Sequence, residues 1–217
     1  MHYPVIKNTD LNNLNKIGFA AVASACLMEI LKKQRDAIGL SVYSDSYEYY
    51  APEKGSERHR KMILNQLEKL LSNPSKKSTR TYEYLHEIAE KIHRRSLIFL
   101  FTDMLQTSKE EEELFDALRH LKHNKHEVIL FHTYDKELEF SFNFDNTPKK
   151  FTDLETGKEI NIYAENIQKQ YRELAANFFN NLKNKCLQYK IDYVPVNRAK
   201  GYNEILTSYL VSRRKFL

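Results

Sequence analysis

The segment Ser96–Leu105, SLIFLFTDML, places five apolar residues, Leu97 to Phe101, in an unbroken row before Thr102 and Asp103. A strand with one wet face alternates polar and apolar residues, and a surface helix shows a polar side every turn. A short unbroken run is therefore predicted as a strand covered on both faces, as in a parallel sheet sandwiched between helices. The neighbouring sequence agrees. A helical pattern over 110–121 leads to a second apolar run, EVILFH at Glu127–His132. A long helix over about 165–189, the strand IDYVPV at Ile191–Val196 and a last helix over 202–213 continue the α/β alternation.

Upstream, Phe19, Val22, Ala23, Cys26, Leu27, Ile30 and Leu31 recur at helical spacing within Asn15–Lys33, which predicts a helix with one broad buried stripe. AIGLSVY at Ala37–Tyr43 and YEYY at Tyr47–Tyr50, separated by Ser-Asp-Ser, predict a hairpin. Helices follow over 56–71 and about 81–93. Glu137–Phe144 alternates as ELEFSFNF, and Ile160–Tyr163 follows the turn signal ETGK; these predict an accessory antiparallel insertion over about 136–164. The expectation is one domain over residues 1–217, with a mostly parallel sheet between two helical layers.

Composition narrows the class. Hydrophobic content of 41% with 29% charged residues, five Gly and five Pro fits a globular chain and leaves little for long linkers. The net charge of +5 is too small an excess to identify a nucleic-acid binder without a concentrated patch. Basic residues gather at Lys76, Lys77 and Arg80, at Arg94 and Arg95, and at Arg213, Arg214 and Lys215, the pattern of solvated helix ends. Cys26 and Cys186 stand far apart and outside any C-x-x-C pair, so a disulfide framework or zinc site is not indicated and two buried thiols in a reducing cytoplasm are expected. The longest apolar stretch, Gly18–Leu31, contains Glu29 and is too short to span a bilayer.

Asp103 is the first candidate site residue. Ligands of open parallel sheets bind beyond the carboxyl ends of the strands, and a carboxylate there can hold Mg²⁺, act as a base or cap the next segment. His120, His123 and His126 form a second candidate, with the first two able to share a helix face; histidines near a helix end also complement its dipole. Thr156–Lys158, TGK, lacks the Gly and Ser or Thr of a phosphate-binding loop. No nucleophile elbow or paired carboxylates stand out for hydrolysis.

The segments RDAIGLSVYSD, APEKGSERHR, HRRSLIFLFTDML, NKHEVILFH and FTDLETGKEI, in this order, resemble the bacterial family called domain of unknown function 58, whose members contain a von Willebrand factor A-like domain. The resemblance runs from about Lys16 onward. It implies a von Willebrand A-like, Rossmann-like three-layer sandwich and a metal-ion-dependent adhesion site built by three loops. Asp103 matches the acid of the third loop and Thr79 the hydroxyl of the second, with Thr81 the nearby alternative. Mg²⁺ is the implied cation. The first loop, Asp-x-Ser-x-Ser, has no counterpart upstream of Lys16, so the chain is expected to lack the first central strand and to hold an incomplete site that binds Mg²⁺ poorly. Ser44, Asp45 and Ser46 follow the second strand and lack the spacing of a substitute. The missing strand would leave two apolar edges, at Ala37–Tyr43 and Leu97–Phe101, facing one another.

For function, the resemblance implies a non-enzymatic cytoplasmic protein-interaction module, an adaptor or co-chaperone for a MoxR-type AAA+ ATPase. The alternative is a Mg²⁺-dependent phosphoryl-transfer enzyme or nuclease using Asp103 with Asp45 or Asp135. Nucleic-acid binding through the basic helix ends is a weaker third reading.

Overall fold

The computed structural model describes residues 14–44, 47–72, 81–92, 94–104, 108–145, 147–152 and 159–214. Helix α1 (Lys16–Lys33) is followed by the antiparallel pair β1 (Ile38–Tyr43) and β2 (Tyr47–Lys54), then by α2 (Glu57–Ser72) and α3 (Thr81–Lys91). Strand β3 (Leu97–Thr102), helix α4 (Ser108–His123) and strand β4 (Glu127–Tyr134) form a parallel crossover unit. A single π-helical turn at Lys136–Phe140 precedes the hairpin of β5 (Pro148–Thr152) and β6 (Glu159–Tyr163). Helix α5 (Ala164–Gln188), strand β7 (Asp192–Asn197), a short 3₁₀ turn at Arg198–Lys200 and α6 (Asn203–Arg214) complete the described chain.

Strands β3, β4 and β7 make a parallel sheet in the order β3-β4-β7, and its two faces explain the apolar runs. Leu100, Val128 and Leu130 pack against Leu85 of α3, Leu114 and Leu118 of α4 and Leu182 of α5. On the opposite face Ile129, Phe131 and Val196 meet Phe19, Ala23 and Leu27 of α1 and Ile205 and Tyr209 of α6. Six consecutive residues of β4 are buried, as a central strand requires. Strand β3 is covered on both faces as its sequence predicts, yet of its six residues Leu100 alone is fully buried. It is the edge of the described sheet: β1 and β3 do not pair with one another among the described residues. The β1–β2 hairpin is held instead by side chains, with Ile38, Val42 and Ala51 packed against Met28 of α1 and Ile63 and Leu67 of α2.

Three helices end alike. After α1, α4 and α5 the chain passes through Arg35, Lys125 and Lys190 at φ of 61°, 64° and 57°. In each case the next N–H reaches back to the last turn: Asp36 to Leu31 O, His126 to Leu121 O and Ile191 to Cys186 O. This closes orphan carbonyls and turns the chain straight into the following strand. Left-handed Arg and Lys cost roughly 1 kcal/mol or more each where Gly would cost little, so the apolar residue docked just beyond, Ile191 for α5, has to hold the turn.

The predicted strand over 137–144 is not formed. Asp135 Oδ1 accepts the N–H groups of Glu137 at 3.1 Å and Leu138 at 3.2 Å, which starts a turn rather than a ladder, and Phe142 at φ 48° breaks extension again. The alternating phenylalanines are used otherwise: Phe142 stacks on Phe151, with ring centroids 5.6 Å apart, and packs on Tyr171 of α5 at 4.4 Å. The antiparallel partner of Ile160–Tyr163 is Pro148–Thr152. Cys186 is fully buried, whereas Cys26 is partly exposed, against the expectation of two buried thiols. Among the described residues no helix is long and apolar enough to cross a membrane.

Candidate functional site

The carboxyl ends of β3, β4 and β7 carry a set of charged side chains that the fold draws together with the start of α1. At β3 the chain turns sharply. Met104 sits at φ 53° with its side chain buried, and its N–H donates to Thr102 Oγ1 at 3.1 Å. The buried Met104 anchors the strained turn and leaves the Asp103 carboxylate 46% exposed, its Oδ2 3.6 Å from Lys16 Nζ.

Lys16 occupies an unexpected place. It lies in the first turn of α1, just after the Asn15 side chain caps the Gly18 N–H at 2.7 Å, where the helix dipole disfavours a cation. Two carboxylates offset that: Asp103, and Glu139 Oε2 at 2.7 Å, the Glu139 side chain being 8% exposed. Glu139 comes from the π-helical turn after β4, so that irregular turn delivers a buried acid to the start of α1.

The second ion pair closes the site from the β7 side. Arg198 donates from Nε and Nη2 to Asp135 Oδ2 at 3.1 and 2.8 Å, and from Nη1 to the Leu14 carbonyl at 2.9 Å. Asp135 therefore accepts from two backbone N–H groups on one oxygen and a guanidinium on the other. Asn197 Oδ1 accepts the Ala199 N–H at 3.2 Å, which starts the 3₁₀ turn that carries Arg198.

Below the charges, His132 of β4 is 2% exposed, within 2.8 Å of the Tyr193 hydroxyl at Nδ1 and 4.6 Å from the Phe179 ring by centroids. Burial, and then the positive charge of Lys16, push its pKa down to about 4, against the opposing pull of the Asp103 charge and a hydrogen bond with the Asp103 backbone. At neutral pH it is a neutral, hydrogen-bonded support for the floor of the site.

Of the five charged groups, Asp135, Glu139, Lys16 and Arg198 are mostly buried, while Asp103 faces solvent. A site of this kind is a preorganised stage for one exposed acid. Replacing Lys16 by Met leaves Glu139 as a buried carboxylate without its ammonium. A broken buried pair costs about 3–5 kcal/mol; Lys16 is 15% exposed and its second partner is half in water, so the expected loss is about 2 kcal/mol. Chemical denaturation of Lys16→Met beside Lys16→Met/Glu139→Gln tests this: the double variant should recover most of the loss.

The resident cation of the described site is an ammonium. A hard divalent cation wants about six oxygen ligands, and among the described residues no group of three or more His, Cys, Asp or Glu can hold a metal. Of the implied ligands, Asp103 has its side chain described, and the cation beside it is the Lys16 ammonium at 3.6 Å. These residues do not fit a Mg²⁺ site by themselves. Thr79 and Asp45 lie outside the described residues, as do Lys76, Lys77, Arg80, Lys215 and the TGK turn; Thr81 opens α3. Asp135, offered as a partner for Asp103 in catalysis, is committed to Arg198 and the turn it caps.

The histidine trio is not brought together. His126 is 2% exposed, its Nδ1 accepting the Ser96 N–H at 3.3 Å. His123 is exposed, and His120 turns toward His86 of α3. Arg95 pairs with Glu127. With Lys122, Lys125 and Lys190 it lines a cleft at the amino ends of the strands, away from Asp103. Sequence reasoning found Asp103 and passed over Lys16, Glu139, Arg198 and His132. A lysine in the first turn of a capped helix, against the dipole, was the one available signal.

No curated protein and no solved structure matched the chain. Residues 7–178 match the model of the family described as protein of unknown function DUF58. That match covers most of the 217 residues, and the chain belongs to the DUF58 family.

Proposed function

We propose that the chain is a non-enzymatic protein-interaction module of von Willebrand A-like architecture, an adaptor or co-chaperone that works with a MoxR-type AAA+ ATPase. Its recognition end is the carboxyl edge of the parallel sheet, with Asp103 as the contact residue. The carrying observation is the division of labour among the acids: Glu139 and Asp135 are held in buried ion pairs, and Asp103 is presented to solvent beside Lys16. Membership of the family and a parallel sheet covered by helices on both faces support the architecture.

A half-exposed strand-end acid is also what a Mg²⁺-dependent phosphoryl-transfer enzyme or nuclease would use, and one variant separates the two. Surface-immobilised ATPase should bind the wild-type chain and lose at least about tenfold in affinity, roughly 1.4 kcal/mol, with Asp103→Ala. The same preparations should show no Mg²⁺-dependent hydrolysis of phosphomonoesters or nucleic acid. Turnover that needs Mg²⁺ and disappears in Asp103→Ala would replace the adaptor reading with the enzymatic one.

A further inference from the structure

The amino ends of β3, β4 and β7 receive the chain from the C-terminal ends of α3, α4 and α5, and all three connections bring cations to one cleft. Arg95 comes from the first, Lys122 and Lys125 from the last turn of α4 and the stop beyond it, and Lys190 from the third. Lys125 and Lys190 are exposed and Lys122 partly so. The cleft holds about 440 Å³, room for several side chains rather than one small ion. Two acids share it: Glu127, which is paired with Arg95, and the partly buried Asp192. His126 adds no charge at neutral pH, because burial lowers its pKa. Four cations thus stand against two carboxylates, and the cleft is positive.

Cations beside helix C-termini complement the dipole, and Lys122 is enough to do that for α4. Lys125 and Lys190 go further. Two of the three left-handed helix stops line this cleft, at φ of 64° and 57°, where glycine would relieve the backbone. A lysine kept there at a cost in stability is the mark of a side chain used for binding. We propose that the cleft docks an acidic segment of a partner protein, its lysines meeting carboxylates spaced along that segment. Spread carboxylates fit better than a phosphate. Helices α4 and α5 end here with their carbonyls, the negative pole that opposes a concentrated dianion, and the guanidinium fork of Arg95, the usual phosphate clamp, is taken by Glu127. Among the described residues no Phe, Tyr or Trp lines the cleft, so nothing stacks a nucleic-acid base. The cleft lies at the opposite end of the strands from Asp103, and its docking role does not rest on the one proposed for that acid.

The test uses the full chain and a fluorescein-labelled peptide of alternating Glu and Ser, read by anisotropy. Binding should saturate and should weaken as salt rises. Lys122→Glu/Lys125→Glu/Lys190→Glu should weaken it at least about tenfold. Lys61→Glu/Lys69→Glu, which reverses two exposed cations of α2, should bind like wild type, as should Asp103→Ala. Lys125→Gly and Lys190→Gly separate binding from structure and decide the matter should the triple variant fail to fold. Glycine accepts the left-handed turn, so each should unfold at a urea concentration no lower than wild type, yet bind the peptide about two- to fivefold more weakly. Absence of peptide binding, an equal loss in the α2 variant, or glycine variants that lose stability while binding is unchanged overturns the proposal. Tighter binding of an oligothymidylate of equal length, lost in the same triple variant, overturns it as well and makes the cleft a nucleic-acid site.

Discussion

Arg198→Met should lower the stability of the chain by about 3 kcal/mol at neutral pH, the largest single loss expected from any charged group of the site. The guanidinium makes three described hydrogen bonds, two to Asp135 Oδ2 and one to the Leu14 carbonyl. Both side chains are largely buried, 17% and 10% exposed, so their mutual attraction is little screened and each has lost most of its water. Removing one partner of such a pair costs about 3–5 kcal/mol, because the other charge stays behind. Asp135 keeps two backbone N–H donors, which puts the loss at the lower end; the Leu14 carbonyl adds the cost of an unpaired acceptor unless water reaches it. Urea denaturation measures the value directly. Arg198→Lys should recover part of it, since an ammonium restores the charge but cannot span Asp135 and Leu14 together. Arg198→Met combined with Asp135→Asn should cost less than Arg198→Met alone, because Asn still caps the turn and no buried charge remains. A double variant as unstable as the sum of its parts would mean that the pair contributes nothing as a pair.

That guanidinium also explains why the site could not be read from the chain. Lys16, Asp103, Asp135, Glu139 and Arg198 come from the start of α1 and the ends of three strands, and nothing local links Leu14 to Arg198 across 184 positions. The fold was far more legible. Apolar runs at Leu97–Phe101 and Glu127–His132 located β3 and β4, and the periodic stripe within Asn15–Lys33 located α1 to within a residue, because burial of a face writes itself into the period. Where the period misled, at Glu137–Phe144, a capping aspartate outcompeted the ladder and the phenylalanines found aromatic partners on α5 and β5 instead. The stops after α1, α4 and α5 carry no glycine, so Arg35, Lys125 and Lys190 gave no sign of their left-handed turns. Asp103 was visible because strand ends in parallel sheets are where ligands bind. Its ammonium partner was not, because Lys16 gains its role only when β4 delivers Glu139.

Acid should weaken the fold through His132, and by an amount that can be isolated. The imidazole is buried among Phe178, Phe179 and Tyr193, and its pKa falls from 6.5 to about 4 on folding, chiefly through burial and next through the charge of Lys16. Between those two values the unfolded chain binds the proton and the folded chain does not, so stability rises with pH across this window. The penalty is absent above about pH 6.5, grows as pH falls, and is complete below about pH 4. It amounts to on the order of 3 kcal/mol, since each pH interval between the two pKa values is worth about 1.4 kcal/mol. His126, whose pKa is also lowered by burial, acts in the same direction, so the comparison has to be made against a His132→Gln chain. The fall in unfolding free energy between pH 7 and pH 4 should be smaller in that variant by roughly those 3 kcal/mol. Lys16→Met should give part of the same relief, because it removes the cation that disfavours imidazolium. The wild-type chain offers a check that does not depend on any variant: in a proton NMR titration the His132 ring signal should stay unshifted from pH 7 until the pH approaches 4. A His132 signal that moves with a midpoint near 6.5 in the folded chain would show that water and charge reach the floor of the site, and the preorganised stage beneath Asp103 would not exist.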